Sequence, residues 1–232
     1  MNNIHPTAVI GHDVVLGESN FVGPGAVLTG PLRIGSNNWI GAGVMIGGPP
    51  EIRDYPHRSD WLEAPSGFGI EIGDGNVIRE MTVIHQGSHR FTKVGSGCYI
   101  MSKSYIAHDV ELCDNVTVSA ETAFAGHVRV GEGTTVGVAT VVHQFRVIGA
   151  GVMLGMGSIV TKDIPPFAKA FGNPARIRGA NTVGMGRSGI GAETIETVDT
   201  VYREWSGEPP HPEQMGELAG HVEWWREAIA AQ

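Results

Sequence analysis

Charge is scarce in this chain. Asp, Glu, Lys and Arg make up 17% of its 232 residues, and the net charge is −8. A weakly charged, net acidic protein lacks the basic surface that nucleic-acid phosphates demand, so general nucleic-acid binding is excluded. Cysteine is scarcer still. Cys98 and Cys113 stand alone, which rules out a disulfide framework and any cysteine-based metal motif. No apolar run approaches the roughly 20 residues of a membrane-spanning helix. The opening stretch Met1-Asn2-Asn3-Ile4-His5-Pro6 has neither a charged lead nor an apolar core, so no signal peptide is expected. With 41% hydrophobic residues the chain is not disordered either. A soluble protein of the reducing cytoplasm is the expectation.

The few charges are unevenly placed. From Glu193 to Gln232 there are nine acidic side chains against two basic ones. Between Lys162 and Arg187 the sign reverses: Lys162, Lys169, Arg176, Arg178 and Arg187 face only Asp163. A basic strip of this kind suits an anionic partner, and it equally suits a plain solvated surface.

What the chain has in excess is glycine, 34 residues without collagen spacing, and the excess has a rhythm. Aliphatic residues recur every six positions at Ile4, Ile10, Leu16, Val22, Leu28, Ile34, Ile40 and Ile46, then at Ile72, Ile78 and Ile84. They recur again from Val94 through Ile100, Ile106, Leu112, Val118, Val130, Val136, Val142, Ile148 and Leu154 to Val160, with Phe124 the one aromatic in the series. Gly often follows the aliphatic, as at Gly11, Gly17, Gly23, Gly35, Gly41 and Gly47. A period of six is neither helical nor simple alternation; it fits a short strand followed by a turn. Three such units close a triangular coil of about 18 residues, with aliphatic ladders inside and layers about 4.8 Å apart. The fold expected is an all-β solenoid, a parallel β-helix of hexapeptide repeats, over residues 1–166.

Two breaks interrupt the rhythm, at 48–71 and 86–93. The first holds Glu51, Arg53, Asp54, Tyr55, His57, Arg58, Asp60, Trp61 and Glu63; the second holds His89 and Arg90. Loops thrown out of a rigid coil are where binding residues collect. Ile164-Pro165-Pro166 is expected to end the coil, since prolines cannot continue a ladder. Residues 167–232 then read as a connector and a small helical appendage. Ile195, Val198, Tyr202 and Trp205 share one helical face, and Met215, Leu218, Val222, Trp225 and Ile229 share a second. Gly207, Pro209, Pro210 and Pro212 separate the two.

The coil turns spacing into proximity. Counting in eighteens from His108 gives Gly126 and then Gln144, so His108, Gly126-His127 and His143-Gln144 should line one corner over about 10 Å. Asp109 adjoins His108 in sequence. A histidine held by a carboxylate can accept a proton near neutral pH. A glycine N–H, with no Cβ to block approach, can donate to a developing oxyanion. Together these suit acyl transfer by direct attack of the acceptor, without a nucleophilic Ser or Cys.

Here a resemblance enters. The coil, Ile106-Ala107-His108-Asp109, Ala125-Gly126-His127-Val128, Val142-His143-Gln144-Phe145 and Gly172-Asn173 resemble bacterial UDP-N-acetylglucosamine O-acyltransferases over about residues 4–205. The resemblance implies a left-handed coil, a homotrimer with sites between subunits, and no bound cofactor. It further implies transfer of a 3-hydroxyacyl chain from acyl carrier protein to a nucleotide sugar, the first step of lipid A synthesis. It makes His108 the general base, Asp109 its holder and Gly126 the oxyanion donor. It makes His127, His143 and Gln144 substrate contacts, sets Asn181 and Arg187 at the nucleotide, and puts Met156 at the floor of the acyl groove. No metal is implied. The chain departs from the family pattern at Tyr105, Val183, Ser188 and the stretch Ile52-Arg53-Asp54, which leaves the acceptor open to another nucleotide sugar and to a hydroxyl or an amine. Three other readings stand beside it. Gly172-Asn173-Pro174-Ala175 also suits a coenzyme A-dependent acetyltransferase; His85, His89 and His108 could be imagined as zinc ligands; and a trimeric β-helix could be a non-enzymatic module.

Overall fold

The computed structural model describes residues 1–56, 68–204 and 210–232. His57, Arg58, Asp60, Trp61 and Glu63 of the first break, and Trp205, Gly207 and Pro209 of the tail, lie outside the described residues.

The six-residue rhythm becomes a triangular prism. Strands of two to four residues run from Asn3–Ile4 to Ile159–Val160, and each pairs in parallel with the strand one coil away. They build three flat faces. The first contains Trp39–Ile40 and Tyr99–Ile100, the second Tyr105–Ile106 and Val141–Val142, and the third Glu111–Leu112 and Arg129–Val130. The aliphatic of each six-residue repeat points inward: Ile40, Ile46, Ile78, Ile84, Ile100 and Ile106 are wholly buried. Burying an aliphatic side chain of this size is worth about 1.5–3 kcal/mol, so the stacked ladders are the main source of stability. Phe124 takes an aliphatic's place in the second-face ladder and is equally buried.

The corners need polar partners as well as apolar ones. Asn20, Asn38 and Asn76 stack in one corner, each Oδ1 accepting the backbone N–H of its successor: Asn38 N to Asn20 Oδ1 (2.8 Å), Asn76 N to Asn38 Oδ1 (2.8 Å) and Cys98 N to Asn76 Oδ1 (2.8 Å). At another corner the hydroxyls of Thr82, Ser104, Thr122, Thr140 and Ser158 cap carbonyls of the neighbouring turns. Buried backbone groups at these two corners are thereby hydrogen-bonded by side chains.

Up to Val160, coil-to-coil register is 18 residues except at the two breaks. Ile34 pairs with Ile72 and Ile72 with Val94, so the coil passes both breaks without losing its ladders. The double proline does not stop the first face either. Ala168–Phe171 adds to it in parallel, Met153 opposite Lys169, and Arg176–Ala180 folds back antiparallel. Pro165 and Pro166 occupy the preceding bend, where no ladder N–H is required.

The tail is helical as expected, with one element unforeseen. A short helix, α1 (Thr182–Arg187), precedes α2 (Ala192–Arg203). A 3-10 stretch, Pro212–Leu218, kinks at Gly216 (φ +53°) into α3 (Ala219–Ala230). Val198, Tyr202, Met215, Leu218 and Val222 join the same apolar cluster as the coil interior. Trp225 packs on Val147 of the third face and donates its indole N–H to Val147 O (3.3 Å). The Tyr202 hydroxyl donates to Pro166 O.

Candidate active site

At the corner between the second and third faces three residues in the left-handed region turn the chain: Asp109 (φ +63°), His127 (φ +66°) and Phe145 (φ +59°). They are one position past His108, Gly126 and Gln144. The stacking is bonded directly: His127 N donates to His108 O, and Phe145 N to Gly126 O, both 3.1 Å. The bend at Asp109 folds its side chain back against its own neighbour, so His108 Nδ1 lies 2.7 Å from Asp109 Oδ2. A carboxylate only accepts, which puts the proton on Nδ1 and leaves the Nε2 lone pair free.

Asp109 is fully buried and fully partnered. The short second loop closes over it as a collar. Oδ1 accepts the backbone N–H of Ser88, His89 and Arg90, each at 2.9 Å, and Oδ2 accepts the Ser88 hydroxyl at 2.6 Å. Only glycine permits so tight a turn at 87, where a Cβ would lie 1.6 Å from Arg90 O. The Arg90 guanidinium pins the collar to the coil through Asp109 O (2.9 and 2.7 Å) and His127 O (3.2 Å). Burial pushes the Asp109 carboxyl up, but the bonds from His108, Ser88, His89 and Arg90 outweigh it and hold the group well below the usual carboxylate range. It is a fixed anion at every pH of interest.

Gly126 lies against the face of this pair. A Cβ built on it would sit 2.5 Å from His108 Cε1 and 2.7 Å from Nε2. Its N–H lies outside the ladder and, among the described residues, donates to nothing. A free base nitrogen and an uncovered N–H thus share one small space, which is the geometry for deprotonating an attacking group and receiving an oxyanion.

His127 stands edge-on to His108 (centroids 5.1 Å, 86°) and flat on Phe145 (4.4 Å, 7°). Its Nε2 is 3.6 Å from Asp109 Oδ2. Burial pushes its pKa down, and the nearby charge of Asp109 opposes this without cancelling it, so the ring is neutral at neutral pH. His143 and Gln144 follow one coil on, both exposed, with His143 Nδ1 3.0 Å from Gln144 O.

The other residues singled out from the sequence lie elsewhere on this chain. Met156, 78% exposed, is at the corner between the first and second faces. Asn181 caps α1, accepting from Gly184 N (3.1 Å) and donating to Gly151 O (2.9 Å) at the corner between the third and first faces. Arg187 lines the same cleft as Asn181, along with Thr135, Lys169, Val183 and Ser188. Tyr105 donates to Glu51 at the start of the first loop (2.6 Å); burial, then this carboxylate, push its phenol well up. His85 bonds Pro49 O (2.7 Å), and it does not converge with His89 and His108. The Ser88 and Arg90 contacts to Asp109 were not visible in the sequence, because the loop that carries them breaks the 18-residue register.

Comparison with known proteins bears on the fold and the family. The profile of the family described as UDP N-acetylglucosamine O-acyltransferase, domain 2, matches residues 163–220. The chain is similar to the acyl-[acyl-carrier-protein]--UDP-N-acetylglucosamine O-acyltransferase of Stutzerimonas stutzeri, at 40% identity over 137 residues, 58% of this chain and 53% of that protein. It is similar to that of Alkalilimnicola ehrlichii at 37% over 155 residues, 66% of this chain and 59% of that one. It spans about half the length of the curated relatives it matches. Among solved structures, the UDP-N-acetylglucosamine acyltransferase from Campylobacter jejuni superposes with a TM-score of 0.76 at 26% identity, covering 99% of this chain and 94% of that one. The enzyme from Bacteroides fragilis gives 0.75 at 26% identity, covering 94% and 91%. With these it shares the left-handed hexapeptide coil.

Proposed function

We propose that the chain, similar over 58–66% of its length to curated UDP-N-acetylglucosamine O-acyltransferases, belongs to their family and moves a 3-hydroxyacyl chain from acyl carrier protein to a nucleotide sugar of the UDP-N-acetylglucosamine class. The observation that carries this is the His108–Asp109 pair set against the uncovered Gly126 N–H. His108 Nε2 takes the proton of the acceptor hydroxyl as its oxygen attacks the thioester carbonyl. The Gly126 N–H receives the oxyanion, and Asp109 steadies the imidazolium. Collapse expels the carrier's thiolate, which recovers the proton from His108. The thioester brings its own activation, so no bound cofactor is needed. The exposed Lys169, Arg176 and Arg178 on the added hairpin offer the acidic carrier a basic landing strip. No helix among the described residues is long and apolar enough to cross a membrane, and a carrier-borne donor fits the cytoplasm.

A homotrimer completes the site. The outward residues of the second face, from Val9 and Val27 through Tyr105 and Ala123 to Val141 and Ile159, include no charge, nor do those of the first face up to Met153. The third face instead alternates Arg33, Glu71, Lys93, Glu111 and Arg129. A closed three-fold ring needs two different patches per protomer, and the two uncharged faces meet at the corner of the exposed Met81, Val138 and Met156. Sedimentation should give three chains for the protein and a smaller species for Val141→Asp; a wild-type monomer would remove this assembly. Met156 and His108 lie on different corners of one chain, so an acyl groove joining them runs between neighbours. Met156→Gly should therefore lengthen the preferred acyl chain by several carbons, and an unchanged preference would remove Met156 from the groove.

The decisive experiment is a crossed panel of nucleotide sugars and acyl-carrier thioesters read by mass spectrometry. Turnover with a hydroxyacyl carrier and a uridine sugar supports the reading. Turnover with acetyl-coenzyme A alone overturns it.

A further inference from the structure

We propose that His89, Asp109 and His127 form a binding site for a zinc-class divalent cation, and that occupation of this site switches the His108 pair off. Ligating atoms of the three residues lie within 4.8 Å of one another. His127 Nε2 is 3.6 Å and His89 Nδ1 4.0 Å from the same oxygen, Asp109 Oδ2. Ligands about 2.0–2.1 Å from a tetrahedral zinc are separated by about 3.3–3.5 Å, so the trio needs only a small closure. His89 is exposed on the collar and can supply that movement by rotating its side chain. Two imidazoles and a carboxylate suit zinc and its neighbours, whereas magnesium and calcium prefer oxygen donors throughout.

The site shares one atom with the proposed catalytic pair. Asp109 Oδ1 is committed to three backbone N–H groups, and these hold the carboxylate in place whatever Oδ2 does. Oδ2 binds the Ser88 hydroxyl and His108 Nδ1. The hydroxyl can turn away to water and leave a lone pair for the metal. The carboxylate's charge then goes to the cation, the Nδ1–H bond weakens, and a positive ion stands beside the imidazolium that His108 must become. The base loses both its orientation and its driving force. The switching half of the proposal rests on the acyl-transfer reading; the metal site does not.

The test uses tag-free, chelator-treated protein. Cobalt(II) should give visible d–d bands that saturate at one ion per chain and vanish on adding zinc. His89→Ala should weaken binding by more than the roughly 10–100-fold that losing a mere outer partner costs. Zinc should raise the melting temperature of the wild type and not of His89→Ala. In the transfer assay zinc should slow the wild type by roughly tenfold or more, the direction seen when a catalytic histidine loses its carboxylate, while His89→Ala, compared with its own zinc-free rate, resists zinc. Absence of the bands, or equal binding by His89→Ala, overturns the site. Transfer undiminished at saturating zinc overturns the switch. A protein with no acyl transfer under any condition overturns the functional reading and the switch with it, while the cobalt titration still decides the site.

Discussion

His108→Ala should lower kcat by roughly a thousandfold, within the 10²–10⁴ range that a general base contributes, while leaving the fold intact. The two halves of this expectation come from the same contacts. Asp109 is the buried charge, and removing one partner from a buried charge is costly when the others are few. Here the carboxylate keeps three backbone donors and the Ser88 hydroxyl after the imidazole is gone. The His108 side chain is 14% exposed, so water can enter the space it leaves. A melting temperature within a few degrees of wild type, with KM for the acyl donor little changed, is the pattern for a lost base. An unaltered transfer rate would leave the coil as a scaffold with its chemistry elsewhere, and would favour the reading of a non-enzymatic module.

The fold could be read from the sequence because its rule is one-dimensional. A six-residue period fixes where each strand begins, and the parallel stacking of coils makes a residue's neighbour its eighteenth successor. The aliphatic series therefore maps onto the inward positions of the strands, with Phe124 in line among them. The rule also brought His108, Gly126 and Gln144 to one corner. It missed what depends on direction. Asp109, His127 and Phe145 share the left-handed bend, and that bend determines that Asp109 turns back on His108 and that His127 faces Asp109. It also missed what interrupts the count. The collar of Ser88, His89 and Arg90 belongs to an extruded loop, and no spacing tells where such a loop returns. Asn181 shows a third kind of gap. From the sequence it matched a nucleotide contact by resemblance; in the structure both ends of its amide are engaged, one capping α1 and the other holding Gly151 O. Past the double proline the ladder rule failed in the opposite sense. Prolines exclude a central ladder position, yet Pro165 and Pro166 sit in the bend, and the first face gains Ala168–Phe171 and Arg176–Ala180 beyond them.

The three corners of the prism carry different duties. One holds His108, Asp109 and Gly126; a second presents Met156; the third carries Asn181 and α1 with its Arg187. A prism is rigid along all its edges, so no bending of one chain brings these sets together. In the proposed trimer, neighbouring prisms side by side would do so without any movement, each cleft drawing the proposed base and acyl groove from different chains. Uncharged first and second faces beside a charged third are what such packing requires.

Gly126→Ala should cost roughly 10²–10³-fold in kcat, the scale of losing an oxyanion donor, and about 1–3 kcal/mol in stability from overpacking. Gly126 is not among the residues with positive φ, so an L side chain fits the backbone there. The obstacle is the neighbour. The added methyl would lie 2.5 Å from His108 Cε1 and 2.7 Å from Nε2, well inside contact distance. The methyl has no room to move, so the ring must. The ring is held at Nδ1 by Asp109 at 2.7 Å and flanked by His127, so displacement stretches the bond that fixes its tautomer. The same methyl stands beside the N–H that receives the oxyanion. One carbon therefore damages base and oxyanion site together, and the losses of Gly126→Ala and His108→Ala should not add in the double variant. Unchanged kcat in Gly126→Ala would show that the oxyanion forms elsewhere, and fully additive losses would show that the histidine and the glycine act as separate devices.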